Sequence, residues 1–357
     1  MDIDEKMNLM KEFAKEIVNE EELKELFKSG KLITAYDGFE PSGVAPIHFG
    51  LLRATNLKNM LKVGIKFKLY LADYFGFINN KLRGDLKNIQ KAGEYFIEVW
   101  KACGIDIKKV EIIWASDLMN GIKYWDRVLR VAKGTSVNRT KKSLTIAGRK
   151  EGDIISTAQL FYPSMQVADI FEMDLDICQL GMDQRRANML ARDIASKYKW
   201  KKPIAIHHHI LLGLQGLQKK ENDEETLMAS KMSKSDPKTC IYMHDSLKEL
   251  KGKIGKAYCP EGIVEGNPIL EYFKHIIFRN VSEVKIERPE KYGGNLEYDS
   301  YPKMEKDFID KKIHPLDLKN SCAIELDKLI KPCREHFEKD KKAKELYEFV
   351  KSLGITR

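Results

Sequence analysis

The chain has 357 residues, of which 43% are hydrophobic and 32% charged, with a formal net charge of +9; at roughly 150 residues per domain this is room for about two domains and an ordinary globular core. No apolar run approaches the ~18 residues of a membrane span, and the opening MDIDEKMNLMKEF is too charged for a signal peptide and too acidic for a transit peptide, so a cytoplasmic protein is expected. The six cysteines, at 103, 178, 240, 259, 322 and 333, form no C-x-x-C pair, which speaks for reduced thiols and against a structural zinc site.

Residues 3–30 read as two short helices, the first amphipathic over MKEFAKEIVNE and the second ending at Gly30. KLITAYDGF then reads as a strand, EPSGVAP as a turn, and IHFGLLRATNLKNMLKVG as a helix ending at Gly64. KFKLYLADYF is a second strand, GDLKNIQKAGEYFIEVWKACG a long helix and VEIIWASDL a third strand. Strands alternating with helices at this spacing predict a parallel, doubly wound α/β sheet of Rossmann type. Residues 121–160, with the basic stretch VNRTKKSLTIAGRKEGD, break the rhythm and read as an insertion between sheet halves. A helix from about Tyr162 follows, with Pro163 in its first turn, then strand LDICQLG, helix DQRRANMLARDIASKY and strand PIAIHHH. The three histidines sit on a strand whose side chains alternate between faces, so they cannot all converge on one ion, and no metal site is expected there. A polar run and the loop SKMSKSDP come next, and from about residue 245 the pattern is helical only. The domains expected are therefore N-terminal helices over 1–30, a Rossmann-fold unit over 31–244 with a loop at 215–238, and an α-helical domain over 245–357.

Four constellations carry chemistry. Open α/β sheets bind ligands beyond the C-terminal ends of their strands. The turn EPSGVAP lies there, with Gly43 permitting close approach and His48 in the first helical turn, where backbone N–H groups favour an anion. Tyr162, Gln166 and Asp169, at i, i+4 and i+7, share one helix face and put a hydroxyl, an amide and a carboxylate on a pocket wall. GMDQRR follows a strand directly, so Gly181, Asp183 and Gln184 stand at another strand end; Asp183 suits either ribose hydroxyls or a helix cap. The loop SKMSKSDP supplies Lys231 and Lys234, cations on a mobile segment able to close over phosphates as charge develops.

IHFG resembles the HIGH signature, and KMSKS matches the second signature, of the class I aminoacyl-tRNA synthetases. More closely, AYDGFEPSG, YPSMQVADI, QLGMDQRRANMLAR, ERPEKYGGNL and IHPLDLKN are similar to the tyrosyl-tRNA synthetases of the archaeal and eukaryotic cytoplasmic type, over roughly residues 30–340. The resemblance implies that Tyr36 and Asp169 hold a substrate phenol, with Tyr162, Gln166 and Gln184 on its α-amine and carboxylate. It implies ATP contacts at Gly38, His48, Gly50, Gly181, Asp183, Lys231, Met232, Ser233, Lys234 and Ser235, with His48, Lys231 and Lys234 catalytic. It also implies anticodon reading by Tyr292, His314 and Asp317, magnesium arriving with ATP but no dedicated metal site, tRNA(Tyr) as partner, and a homodimer formed largely through 121–160. One departure stands out: the second histidine of HIGH is Leu51 here, so one transition-state donor is missing or comes from elsewhere. The rivals are a tryptophanyl-tRNA synthetase, against which the Tyr36–Asp169 pair speaks, and a catalytically silent RNA-binding relative, against which Lys231, Lys234 and His48 speak.

Overall fold

A computed structural model describes residues 1–147, 156–234 and 236–354. Ser235 and residues 148–155 of the expected insertion lie outside the described residues. Six strands form the main sheet: β1 (Ala14–Val18), β2 (Thr34–Phe39), β3 (Lys66–Leu71), β4 (Val110–Trp114), β5 (Ile177–Gly181) and β6 (Ile204–His208), in spatial order β1-β6-β5-β2-β3-β4. All neighbours are parallel except β1, which runs antiparallel on β6. The order reverses at β2, with β3 on one side and β5 on the other, which opens a crevice at the C-terminal ends of these strands.

The sheet separates two cores because successive side chains point to opposite faces. Ala35, Phe39, Phe67, Leu69, Leu71 and Ile177 enter one cluster, which continues into the C-terminal region. Tyr36, Tyr70, Cys178 and Leu180 enter the other, with the helix Thr157–Glu172. The first cluster is conventional hydrophobic packing; the second carries hydroxyls inward at the strand ends, where a ligand rather than a core is served.

Several elements depart from the sequence expectation. Residues 3–30 are not helices alone, since β1 lies between the helices Ile3–Lys11 and Glu20–Lys28. Its pairing with β6 is sealed by side chains: Glu16 accepts from Arg185 at 2.8 Å and meets His207 Nδ1 at 2.8 Å. The helix expected from Tyr162 starts five residues earlier, at Thr157, where Ser156 and Gln159 form a capping box, so Pro163 lies inside it. The polar run before the KMSKS loop holds a helix, Asp223–Ser230, because Asn222 accepts from the Glu225 N–H and caps it. The C-terminal region is helical apart from a two-stranded ribbon, β7 (Val284–Ile286) on β8 (Leu296–Tyr298). The consecutive histidines do diverge: His207 meets Asn188 and Glu16, His208 meets Gln179, and His209 stacks on His275.

Candidate active site

The crevice at the strand ends is a cleft of about 320 Å³. Of the sequence-predicted residues it brings together Tyr36, Gly38, His48, Tyr162, Gln166, Asp169, Asp183, Gln184, Lys231 and Lys234. At its closed end stands Asp169, 1% exposed. Tyr124 Oη donates to its Oδ1 at 2.8 Å, while Oδ2 has no partner. The Tyr36 and Tyr70 hydroxyls nearby are also buried without partners. Burial pushes the Asp169 carboxyl up to about 7, against the pull of the hydrogen bond from Tyr124. Burial likewise raises the Tyr36 phenol far above its ordinary value, so it stays a hydroxyl and a donor. Unpaired buried polar atoms each cost about 1–3 kcal/mol, so their convergence at the end of one cleft marks a place where a ligand supplies the missing bonds.

The middle of the cleft is a polar collar. Tyr162 Oη donates to Glu40 Oε1 at 2.6 Å, and Asn79 Nδ2 donates to the same oxygen at 2.7 Å. Gln166 Nε2 donates to Gln184 Oε1 at 3.1 Å, tying helix Thr157–Glu172 to the turn after β5. The Phe75 ring stands edge-on to Tyr162 at 4.7 Å and gives the cavity an aromatic side.

The mouth is cationic, with Arg53, Lys81, Lys231 and Lys234 on its walls. Lys234 Nζ donates to the Ser42 carbonyl at 3.1 Å and to Ser42 Oγ at 3.2 Å, and lies over the Phe96 ring. Burial lowers its ammonium to about 8. Lys231 Nζ lies 3.4 Å from Asp183 Oδ2. Asp183 therefore serves the cleft and not the helix: the helix Arg185–Tyr198 has no side-chain cap. His48 is half-buried and contacts Met232 Sδ at 3.5 Å. Burial, with Arg53, Lys234 and Lys231 around it, holds its imidazole well below the usual value, hence neutral.

Other expected contacts fall differently. The amides of Phe49 and Gly50 bond the Pro46 carbonyl, so they do not offer an anion site at this helix start. Gly50 is buried under Met243, whose side chain would collide with any Cβ there, and is not on the cleft wall. Gly181 is buried at the end of β5, where a Cβ would meet Ile210 and Asp183. Met232 is buried and lines a side pocket of about 90 Å³ with His48, Arg53, Asp183 and Lys231. Ser233 is half-buried and not on the cleft wall. Sequence reasoning missed Glu40, Arg53, Tyr70, Lys81 and Tyr124. Tyr70 was findable: β2 and β3 pair Gly38 with Tyr70, so strand alternation places it beside Tyr36. Tyr124 had no local signal, being 45 residues from its partner.

Far from the cleft, Tyr292 is exposed and sits in the turn between β7 and β8. His314 caps the helix Pro315–Lys339, its Nδ1 accepting from the Leu316 N–H at 3.2 Å, and Asp317 lies in that helix's first turn. Arg288 joins the two places, donating to the carbonyls of Gly294 at 2.8 Å and Lys312 at 2.6 Å.

The family model for the class I tRNA synthetases of the W and Y type matches residues 28–331. The chain belongs to that family. It is 43% identical to tyrosine–tRNA ligase 1, cytoplasmic, of Arabidopsis thaliana, over all of this chain and 90% of the relative. It is 42% identical to the tyrosine–tRNA ligase of Sulfolobus acidocaldarius over the whole of both. Among solved structures, the tyrosyl-tRNA synthetase of Pyrococcus horikoshii complexed with L-tyrosine superposes with a TM-score of 0.91 at 38% identity, covering 99% of this synthetase and all of that chain. The fold expectation, an α/β Rossmann-like sheet followed by a helical C-terminal region, therefore holds for this synthetase.

Proposed function

We infer that the cleft takes tyrosine with its ring against Phe75 and its phenol at Asp169 and Tyr36, and ATP across the cationic mouth. The synthetase is a tyrosine–tRNA ligase that uses ATP as substrate. The observation that carries the assignment of the pocket is the pair of unsatisfied buried atoms, Asp169 Oδ2 and Tyr36 Oη. A phenol O–H donates once and accepts as well, so it completes an ionised carboxylate and a tyrosine hydroxyl together. An indole N–H only donates and would leave Tyr36 without an acceptor.

The chemistry needs no protein nucleophile. A carboxylate oxygen of tyrosine attacks the α-phosphorus, pyrophosphate leaves, and the terminal ribose of tRNA(Tyr) then takes the tyrosyl group. In this reading Glu40, Tyr162, Gln166 and Gln184 hold the α-amine and orient the carboxylate, while Lys231 and Lys234 leave Asp183 and Ser42 for the phosphates. Positioning and preorganised charge supply the acceleration. Magnesium arrives bound to ATP; among the described residues no three His, Cys, Asp or Glu side chains gather as a protein cage for it.

Three further assignments complete the proposal. Tyr292, His314 and Asp317 read the anticodon. A homodimer forms through the helix Ile122–Gly134 and its surroundings, supported by exposed Phe77, Ile122, Trp125, Leu129, Val137 and Phe161. The protein works in the cytoplasm; no helix among the described residues is long and apolar enough to cross a membrane. ATP–pyrophosphate exchange with tyrosine, tryptophan and phenylalanine in turn tests the central reading. Exchange with tyrosine alone is expected, and exchange driven best by tryptophan, or by nothing, would overturn it.

A further inference from the structure

The departure of the first signature, Leu51 in place of its second histidine, leaves a donor to be found. Leu51 itself is 7% exposed and packs in the core, on neither wall of the cleft. The helix that carries it is unusual. Residues His48–Leu52 form a π turn, and an α-helix continues from Arg53 to Lys62. In a straight α-helix five residues rotate through about 500°, which sets two side chains about 140° apart. A π turn closes i→i+5 hydrogen bonds instead and is wider, which narrows that angle. Arg53 directly follows this turn, its N–H bonded to the Gly50 carbonyl, and it lines both the main cleft and the side pocket shared by His48, Asp183 and Lys231.

Arg53 is also held in place. Its Nη1 forms an ion pair with Asp37 Oδ2 on the neighbouring β2, and its guanidinium lies over the Phe39 ring at 5.2 Å. Asp37 is 2% exposed, and its second oxygen has no partner, so Arg53 is the charged group that balances this buried carboxylate. A guanidinium carries five N–H donors in a fixed fork. The bond to Asp37 engages one nitrogen, on a residue that lines the cleft, and leaves other donors for a ligand there.

We propose that Arg53 is a catalytic residue of tyrosine activation, a preorganised cation that contacts phosphate oxygens of the departing pyrophosphate in place of the missing histidine. The proposal rests on the reading of the cleft as an ATP-dependent activation site. In that step an oxygen of the tyrosine carboxylate bonds to the α-phosphorus. The bond from that phosphorus to the bridging oxygen breaks, and its electron pair leaves with pyrophosphate, so charge grows on the leaving group without any proton transfer. Asp37 is then a positioning residue, acting through Arg53.

The test is single-turnover tyrosyl-adenylate formation, with tyrosine dissociation constants and melting temperatures measured alongside. Arg53→Gln keeps an N–H donor for Asp37. Arg53→Met combined with Asp37→Asn removes both charges, so no buried carboxylate is stranded. In both, adenylate formation is expected to slow by about 10²–10³-fold, with tyrosine affinity within about threefold of the unmutated enzyme. Arg53→Lys restores the charge without the fork and is expected to recover at least about tenfold over Arg53→Gln. A folded neutral variant that forms adenylate at nearly the unmutated rate, an equal loss of tyrosine affinity, or a lysine variant no better than glutamine would each overturn the role of Arg53. If the unmutated enzyme shows no tyrosine-dependent exchange, the reading of the cleft fails and not the placement of Arg53.

Discussion

Tyr124 offers the most direct probe of the buried carboxylate. Its hydroxyl donates to Asp169 Oδ1 at 2.8 Å, and the tyrosine is itself almost wholly buried. Tyr124→Phe removes one oxygen and leaves the ring in place, so the change in packing is small. A hydrogen bond to a charged group is worth about 1.5–3 kcal/mol, which at 1.36 kcal/mol per unit is about one to two pKa units. The bond favours the ionised form, so losing it moves the Asp169 carboxyl upward from about 7 to roughly 8–9. At pH 7 the ionised fraction in the free enzyme falls from about half to roughly 1–10%. A protonated Asp169 and the Tyr36 hydroxyl would both offer hydrogens to the phenol oxygen, and the phenol hydrogen would have no acceptor. The expected result is a fall in kcat/KM for tyrosine of about 5–50-fold at pH 7 that is largely recovered at pH 9, because kcat/KM reports the free enzyme. Tyrosine-dependent pyrophosphate exchange from pH 5.5 to 9 measures it. An acid limb that stays where it is, or moves to lower pH, would refute the role given to the Asp169 carboxylate.

Asp169→Asn and Tyr36→Phe are expected to erode discrimination against phenylalanine, which sites that hydrogen-bond a substrate hydroxyl hold at about 10⁴–10⁵; comparing tyrosine and phenylalanine in adenylate formation checks this, and an unchanged ratio contradicts it. His244, whose Nε2 lies 2.8 Å from Tyr95 Oη and whose ring stacks on Tyr347, has its imidazole lowered by burial to about 3. Its contribution to stability is therefore present above pH 6.5 and lost as pH falls towards 3. Denaturant unfolding of His244→Gln should show a smaller loss of stability between pH 7 and 4.5, by no more than about 3 kcal/mol, and an identical loss would sink the argument. Asp317→Ala is expected to leave pyrophosphate exchange untouched, to weaken charging of tRNA with the native anticodon, and to shrink the penalty for replacing the anticodon guanine; equal charging of both tRNAs by mutant and unmutated enzyme would remove Asp317 from the anticodon site.

What could be read along the chain was what local spacing encodes. The strand–helix alternation gave β2 to β6, and the i, i+4, i+7 stripe put Tyr162, Gln166 and Asp169 on one wall of the cleft. β1 escaped because AKEIV is rich in residues that favour a helix, and only its partner β6 makes it a strand. The ribbon β7–β8 escaped because three residues per strand carry no period. The supporting cast of the site was hidden for a different reason. Tyr124 with Asp169, Arg53 with Asp37 and Tyr162 with Glu40 are pairings between separate elements, and no window along the chain contains their geometry. His314 shows the opposite limit: its position at the start of a helix was legible, yet only the structure shows the ring itself accepting the Leu316 N–H.

The antiparallel pairing of the main sheet's first strand in chain order with its last has a bearing on synthesis. β1 finds Ala14 opposite His208, so about 190 residues separate the two halves of one ladder. At roughly 5–20 residues per second of translation, β1 waits about 10–40 s for its neighbour to leave the ribosome. Through that interval the nascent chain presents an unpaired edge, the kind that recruits other strands. Glu16 waits too, since His207 and Arg185 both emerge late. The sheet therefore cannot close in the order in which it is made, and its amino-terminal strand is the piece a nascent-chain chaperone would have to shield.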